Sequence, residues 1–282
     1  MTNWLMRELY PLVGAYRATR GLRFEPGDPI RVPSSVVPYR RAGDKRGPFE
    51  IDVYLPTGKA PATGWPSTFL VHGGGFAIGS KRMRPTQVVV RGLCDAGFAV
   101  LACSYPLTRG RLTVTQQAEW VTAAIDTAIS EEGAFGLDPA RRYAAGFSAG
   151  ATLLILAEAG RERSRFTALA GVFGLYDFEA LRGAGVSIFT RFVIGKRALF
   201  RAASPLHAAQ LGCPLTLLHG TADLLVPIEQ ARQLAELRRK AGLPVELVEI
   251  EGAPHAFFNQ PASPASEAGL RALTRAFTPA SV

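Results

Sequence analysis

Two glycine-containing motifs in this sequence carry groups suited to attack on a carbonyl carbon. The first, His72-Gly73-Gly74-Gly75-Phe76, directly follows an apolar run at residues 67–71. The second, Gly146-Phe147-Ser148-Ala149-Gly150, also follows an apolar run. A serine on a sharp strand-to-helix turn supplies a nucleophile, and a glycine-rich loop supplies backbone N–H donors for the negative charge that the attack creates. Together the two motifs predict an acyl-transfer site.

Ser148 is the predicted nucleophile, and the backbone N–H groups of Gly74, Gly75 and Ala149 are the predicted oxyanion donors. A helix that begins directly after Ser148 would add the positive end of its dipole. We expect His72 to orient the glycine loop through hydrogen bonds. The alternative, a phosphate-cradling loop, is disfavoured because no Lys-Ser/Thr pair follows the glycines in the required spacing.

A serine hydroxyl needs a base, and the sequence offers four histidines. His255 follows the last apolar run in a loop, where its side chain could reach Ser148, and it is the predicted base. His219 ends the preceding apolar run and is the main rival, although a fixed strand position suits a structural hydrogen bond better. His207 is a weaker rival within a segment of scattered aromatic residues.

The base needs a carboxylate to orient its imidazole. Asp223 stands in an apolar loop after the run that ends at His219, and a lone carboxylate there requires a partner. The alternative for Asp223 is a helix N-cap, but it lies slightly too far upstream of the helix expected from residue 228. The chain order Ser148, Asp223, His255 matches one known order of such triads.

Apolar runs that alternate with helical patterns must position these residues. We predict strands at residues 49–55, 67–72, 99–104, 142–147, 168–175, 214–219 and 245–251. We predict helices at 85–96, 114–132, 149–162, 228–241 and 263–277. The alternation predicts an α/β fold with a mostly parallel central sheet and helices on both faces. Functional residues then gather at the carboxyl ends of the strands.

Two segments interrupt this alternation, residues 1–48 and residues 177–207. The first combines an amphipathic helical pattern at residues 1–16 with a stretch rich in Pro, Arg and Gly. The second holds several aromatic and aliphatic residues among arginines. We interpret both as elements of a small helical cap on a single domain that covers residues 1–282.

Composition excludes several classes of function. No apolar run is long enough to span a bilayer, and the first residues lack a signal peptide's continuous apolar core. The net charge of +9 comes without a long basic run, so no nucleic-acid partner is predicted, although the charge would favour anionic substrates. The three cysteines are widely spaced, which disfavours a disulfide framework or a metal site and indicates a cytoplasmic location. The oligomeric state stays open.

From about residue 50 onward the chain resembles the α/β-hydrolase superfamily. The two glycine motifs, with Asp138-Pro139-Ala140-Arg141-Arg142, are similar to the hormone-sensitive lipase and small carboxylesterase group. The stretch Gly220-Thr221-Ala222-Asp223 with Val226-Pro227 is more similar to the acetyl-esterase and arylformamidase branch. This resemblance implies an α/β-hydrolase fold, a Ser-Asp-His triad and hydrolysis of small to medium acyl esters without a cofactor.

The chain departs from the group's pattern beside the glycine loop. Phe147 stands where many relatives carry an acidic residue, and Ser104-Tyr105-Pro106-Leu107 replaces an Asp-Tyr-Arg-Leu-like element. The region Thr115-Gln116-Gln117 replaces an acidic residue. These changes bear on the support of the loop and on the pocket wall, so they affect substrate class more than the triad.

Five phenylalanines are candidates for an apolar substrate pocket, each with core packing as its alternative: Phe76, Phe147, Phe189, Phe192 and Phe257. The predicted function is a serine carboxylesterase acting on a small-molecule ester. The alternatives are an acyltransferase, an amidase or a thioesterase with the same acyl-enzyme chemistry, and a non-catalytic binding protein on the same fold.

Overall fold

A computed structural model describes residues 31–108, 112–181, 199–208 and 210–278. Its centre is an eight-stranded sheet with the strand order β1-β2-β4-β3-β5-β6-β7-β8. The strands are β1 (Ser35–Tyr39), β2 (Phe49–Tyr54), β3 (Trp65–Val71), β4 (Ala99–Cys103), β5 (Leu137–Phe147), β6 (Ala168–Val172), β7 (Leu215–Gly220) and β8 (Val245–Ile250). The β1–β2 and β2–β4 pairs are antiparallel, and every other pair is parallel.

Helices cover both faces of the sheet. They are α1 (Arg84–Asp95), α2 (Val114–Ser130), α3 (Ala149–Glu158), α4 (Phe200–Ala203), α5 (Glu229–Lys240) and α6 (Pro264–Ala276). One core contains the buried sides of α2, α3 and α5, and a second contains those of α1 and α6. The central strands read as continuous apolar runs because they are buried on both faces. Within the described ranges, every helix is too short or too polar to span a lipid bilayer.

The predicted fold class is confirmed, and all seven predicted strands and all five predicted helices are present within a few residues. Strand β1 was not predicted. It lies inside the segment 1–48 that we interpreted as a cap element, yet it pairs with β2 as the edge of the sheet. Its five residues alternate in burial and include Pro38, which an edge strand tolerates because one side of it needs no partner.

Parts of the predicted cap lie outside the described residues, including the helical pattern at 1–16 and the whole of 182–198. Within 177–207 the structure describes the single-turn helix α4 and a 3₁₀ turn at Pro205–Ala208. The division into one domain with a cap therefore stays a prediction.

Candidate active site

The candidate site lies at the carboxyl ends of four strands. His72 directly follows β3, Ser148 follows β5, Asp223 follows β7 and His255 follows β8. Strands β3, β5, β6, β7 and β8 are adjacent and parallel, so their carboxyl ends share one edge of the sheet. The structure thus brings together the residues that the sequence separates by more than half of the chain.

Ser148 occupies a strained turn between β5 and α3. Its backbone has φ 51° and ψ −118°, a conformation that residues with a side chain seldom adopt. Serine is a favoured helix N-cap, in which the hydroxyl normally accepts from a backbone N–H of the first turn. Ser148 holds the N-cap position but its side chain makes no capping bond. The hydroxyl is therefore available to a different partner.

That partner is His255. Its Nε2 lies 3.1 Å from Ser148 Oγ, and its Nδ1 lies 2.7 Å from Asp223 Oδ2. Because the carboxylate only accepts, His255 Nδ1 donates to it, which leaves Nε2 of the neutral ring to accept from the serine hydroxyl. Serine, histidine and aspartate form one hydrogen-bonded chain in the order that general-base activation of a serine requires.

Asp223 is fixed by four donors, one for each lone pair of its carboxylate. Oδ1 accepts from the backbone amides of Leu225 and Val226 over 2.9 and 2.8 Å. Oδ2 faces His255 Nδ1 and, at 3.2 Å, His219 Nε2. Burial of the carboxylate favours its neutral form, but His255 and His219 outweigh this effect and hold the pKa of Asp223 well below its usual range.

The alternative role for Asp223, an N-cap, does not apply to the helix that follows. Helix α5 has Ile228 at its N-cap and lacks a side-chain capping bond there. The carboxylate instead closes the turn at Leu225 and Val226. This turn holds the carboxylate in place for His255.

An aromatic group supports the imidazole of His255. Phe173 contacts its ring edge-on, with ring centroids 5.0 Å apart, and also packs against Phe257. Phe173 has a positive φ of 38° and directly follows β6 at the same edge of the sheet. The prediction did not include Phe173 among the site residues, because it placed this residue inside the strand expected at 168–175, whereas β6 ends at Val172.

The glycine loop and the serine turn are in direct backbone contact. A Cβ atom added to Gly73 would lie 2.9 Å from the carbonyl oxygen of Phe147. A Cβ atom on Gly150 would lie 2.2 Å from the carbonyl oxygen of Val71 and 2.5 Å from that of His72. Only glycine allows this close approach of the two backbones, so the contact between the motifs excludes a side chain at Gly73 and at Gly150.

The three predicted oxyanion donors have unused amides. Among the described residues, no carbonyl or side chain accepts from the backbone N–H of Gly74, Gly75 or Ala149. Buried or half-buried amides without a partner are uncommon in folded proteins. Free amides in a loop that contacts Ser148 are what a developing oxyanion requires.

His72 and Tyr105 support the loop at its start. His72 Nδ1 lies 2.7 Å from the carbonyl oxygen of Gly73, which is an acceptor, so the ring donates. Burial lowers the pKa of His72 to about 4, which keeps the ring neutral. Tyr105 stacks on this ring and donates its hydroxyl proton to the carbonyl oxygen of His72 over 2.9 Å.

Gln117 supports the loop at its end. Its side-chain amide donates to the carbonyl oxygens of Phe76 and Pro106 over 2.9 and 2.8 Å. Tyr105, Pro106 and Gln117 all lie in the stretches where the sequence departs from the group's pattern. Residues from both of these stretches therefore contact the glycine loop in this chain.

A family model described as BD-FAE matches residues 51–237. The chain belongs to this family. The matched range contains both glycine motifs and Asp223, and it ends before His255. The expected resemblance to α/β-hydrolase carboxylesterases is thereby confirmed.

Curated relatives of this BD-FAE family member are esterases by name. The chain is 29% identical over 232 residues to a probable isoprenylcysteine alpha-carbonyl methylesterase from Oryza sativa subsp. japonica, covering 73% of this chain and 54% of that protein. It is 28% identical over 232 residues to esterase LipC from Mycobacterium tuberculosis, covering 72% and 54%. The chain therefore spans about half the length of these relatives.

A solved structure is similar over a larger share of its length. The thermophilic esterase Est2 from Thermogutta terrifontis superposes with a TM-score of 0.68 at 27% identity, covering 88% of this chain and 93% of that one. That esterase has also been solved with propionate bound and phosphonylated by sarin. The comparison supports the α/β-hydrolase fold over nearly the full length of the neighbour.

The candidate pocket residues are mostly core residues in this BD-FAE family member. Phe76, Phe147 and Phe257 are each no more than 3% exposed. Phe76 packs against Phe178, and Phe147 and Phe257 both pack against Phe173. These contacts favour the packing alternative. Phe189 and Phe192 lie outside the described residues.

The rival histidines occupy other positions. His219 contacts Asp223 and the carbonyl oxygen of Val226, and it makes no contact with Ser148. His207 lies near the surface, where its Nε2 is 3.1 Å from Glu179 Oε2. Asp177, Glu179 and His207 are close enough to share a metal ion, but two of the three are exposed and none takes part in the hydrogen-bonded chain at Ser148.

Proposed function

We propose that this protein is a serine carboxylesterase that hydrolyses small to medium acyl esters. The observation that carries the proposal is the hydrogen-bonded chain from Ser148 Oγ through His255 to Asp223, with free backbone amides beside it. The esterase names of the relatives and of the structural neighbour support the same chemistry.

In the first half of the reaction, His255 Nε2 takes the proton of Ser148 as Oγ bonds to the ester carbonyl carbon. The carbonyl electron pair moves onto oxygen, and the N–H groups of Gly74, Gly75 and Ala149 donate to that oxyanion. Asp223 stabilises the imidazolium and keeps the ring in the productive tautomer. The intermediate collapses, the carbon–alkoxide bond breaks, and His255 protonates the departing alcohol.

In the second half, a water molecule attacks the acyl-enzyme. His255 takes the water proton, the same amides stabilise the second oxyanion, and the bond to Ser148 Oγ breaks as His255 returns a proton to it. The products are an alcohol and a carboxylic acid. Every step uses groups of this chain and water.

A structure of the neighbouring esterase gives indirect support for substrates with short acyl chains. The neighbouring esterase binds propionate, a short acyl product, in one of its structures. The hydrolysis of p-nitrophenyl esters from acetate to palmitate measures acyl length preference directly. We expect kcat/KM to be highest for short chains and to decline as the acyl chain lengthens.

The test of the chemistry is labelling by a fluorophosphonate probe, followed by intact mass. Wild-type protein gains one phosphonyl group, and Ser148→Ala gains none and loses hydrolysis by about 10⁴-fold or more. Ser130→Ala, at an exposed serine on α2, is the matched control and keeps both labelling and activity. If the folded wild-type protein neither reacts with the probe nor hydrolyses any of the esters, the proposal is wrong and the alternative of a non-catalytic binding protein is favoured.

Product analysis separates the remaining alternatives. With a competing alcohol or amine present, an acyltransferase forms the transfer product in preference to the free acid. Parallel assays with anilide and thioester analogues of the same acyl group test amidase and thioesterase activity. The proposal requires the oxygen ester to react fastest, with free acid as the main product.

A further inference from the structure

His219 is a completely buried histidine on β7 that contacts the same carboxylate oxygen of Asp223 as His255 does. Its side chain has 0% exposure. Its Nε2 lies 3.2 Å from Asp223 Oδ2 and 2.9 Å from the carbonyl oxygen of Val226. The proposed mechanism uses Asp223 and His255 but gives His219 no part.

The two partners of His219 Nε2 determine where its proton resides. A carbonyl oxygen and a carboxylate oxygen can only accept, so Nε2 carries the proton and donates to both. The other ring nitrogen, Nδ1, is buried and has no partner among the described residues. A proton at Nδ1 would add a buried unsatisfied donor, so the geometry suits the tautomer with its proton at Nε2.

Asp223 Oδ2 is consequently shared between two imidazole N–H groups, from His255 at 2.7 Å and from His219 at 3.2 Å. Oδ1 is occupied by two backbone amides of the same loop. His219 is the one donor to this carboxylate that comes from a sheet strand, which is the most rigid support available. Loop and sheet therefore fix the carboxylate from two directions.

We propose that His219 is a positioning residue that anchors Asp223 to the sheet and sets how strongly it accepts from His255. This inference rests on the proposed function, since it concerns the acid of the same triad. It gives His219 a role distinct from the general base, because its donor nitrogen faces the acid and not the nucleophile.

Charged groups approach this contact from β8 and from the loops after β7 and β8. Glu249 on β8 lies opposite His219 in the strand register, and Arg232 pairs with Glu249 over 2.7 Å. His255 approaches from the loop after β8, and Asp223 from the loop after β7. Removing His219 leaves the Glu249–Arg232 pair in place, so the main electrostatic change falls on Asp223.

Loss of the His219 donor has two separable effects. The carboxylate loses its anchor to the sheet, so the geometry of His255 becomes less well defined and kcat falls. The carboxylate also accepts one hydrogen bond fewer, so more of its negative charge is available to His255. It therefore stabilises the imidazolium of His255 more strongly. The acidic limb of the pH profile, which follows deprotonation of His255, then moves to higher pH.

The experiment compares His219→Leu, which has no donor, with His219→Gln, whose amide nitrogen extends about as far as Nε2. For His219→Leu we expect kcat to fall about tenfold or more, with KM changed less than about twofold. We expect the acidic limb of kcat/KM to move up by about half a pH unit or more. His219→Gln retains the donor, and its profile stays close to that of the wild type.

A second readout does not depend on turnover. The proton shared by His255 Nδ1 and Asp223 gives a far-downfield NMR resonance, which should move in His219→Leu and remain in His219→Gln. If the leucine variant fails to fold, His219→Asn serves as the loss variant, because its shorter amide ends near Nδ1 and cannot reach Asp223.

A folded loss variant with wild-type kcat and an unmoved acidic limb overturns the inference. So does a fall in kcat with the limb and the NMR resonance both unchanged, which would indicate packing alone. The proposed function fails separately, if the wild-type protein shows no Ser148-dependent ester hydrolysis. The NMR comparison would still test the contact between His219 and Asp223 in that case, because it does not require turnover.

Discussion

Gln117 on helix α2 donates its side-chain amide to the backbone carbonyl of Phe76 across 2.9 Å. The same amide holds Pro106, so one side chain connects α2 to the end of the glycine loop and to the segment after β4. The Oε1 atom of Gln117 has no partner among the described residues, so the contribution of this side chain comes from its two donors.

We expect Gln117→Leu to lower kcat by about 10- to 100-fold, with a smaller change in KM, because the loop amides lose their alignment toward the oxyanion. Steady-state kinetics with a short p-nitrophenyl ester measures both constants. Gln87→Leu is the matched control, since Gln87 is a buried glutamine on α1 whose side-chain amide donates to Tyr54 and not to the carbonyl groups of the loop. The control should lose stability and keep kcat; equal losses of kcat in both variants would contradict the prediction.

Asp223→Asn tests the role of the carboxylate in selecting the imidazole tautomer. The backbone amides of Leu225 and Val226 keep the asparagine oxygen at the Oδ1 position, so its NH₂ group takes the Oδ2 position. There it faces the N–H groups of both His255 and His219, so His255 must change tautomer and lose the proton at Nδ1. A related substitution in a serine protease costs about 10⁴-fold in kcat while the geometry is retained, and we expect a loss of similar size. Retention of probe labelling at a much reduced rate, with an unchanged far-UV spectrum, would separate lost catalysis from lost folding.

Gly150→Ala tests the direct contact between the two motifs. The added methyl would lie 2.2 Å from the carbonyl oxygen of Val71, which is backbone and cannot rotate away. We expect a loss of about 1–3 kcal/mol in the free energy of unfolding, together with a large fall in kcat as the glycine loop shifts. Gly133→Ala is the control, because nothing lies within 4 Å of its added methyl. Denaturant unfolding and kinetics on both variants decide the outcome.

The buried carboxylate of Asp52 on β2 gives a pH-dependent prediction. Its Oδ1 lies 2.9 Å from Lys81 Nζ and 2.8 Å from Arg82 Nη2, in the segment after the glycine loop. Burial alone raises the pKa of Asp52, but these two cations outweigh it and lower the pKa below the usual value. The pairing therefore stabilises the fold above the unfolded-state pKa of Asp52, and this contribution is lost as the pH falls through the folded-state value.

Lys81→Met should lower the free energy of unfolding by about 2–4 kcal/mol at neutral pH, because it leaves the Asp52 carboxylate with one cation fewer in a buried site. The deficit should shrink as the pH falls below the unfolded-state pKa of Asp52 toward its lower folded-state value, since protonation of Asp52 relieves the variant and removes the benefit in the wild type. Urea unfolding at several pH values measures this. Lys240→Met, at a residue that is 75% exposed, should change little. A deficit that stays constant with pH would argue against the role of Asp52.

The fold could be predicted where burial on both faces produces long apolar runs, as in β3, β4 and β7. Strand β1 was missed because only one of its five residues is fully buried, and Pro38 interrupts its pattern. Helix α3 ends at Glu158, four residues earlier than predicted, just before Gly160 adopts a positive φ. Local sequence therefore locates the central elements better than the edges and ends.

The candidate site also contains residues that local sequence locates and residues whose contacts depend on the fold. The location of Ser148, Asp223 and His255 at one edge of the sheet could be predicted because each stands in a short motif soon after an apolar run. The contacts of Gln117, Tyr105 and Phe173 depend on which elements lie side by side, and nothing in their neighbouring residues indicates their partners. Strand order and register determine which residues these side chains contact.

Helix α3 begins at a serine whose hydroxyl does not cap it, and no described residue accepts from the amide of Ala149. In the proposed reaction, the oxygen that gains charge in the tetrahedral intermediate accepts from that amide. The N-terminus of the helix then faces a full negative charge, which its dipole stabilises. A missing cap weakens an ordinary helix. In the proposed reaction, the N–H group that the missing cap leaves free binds the transition state more strongly than the bound substrate.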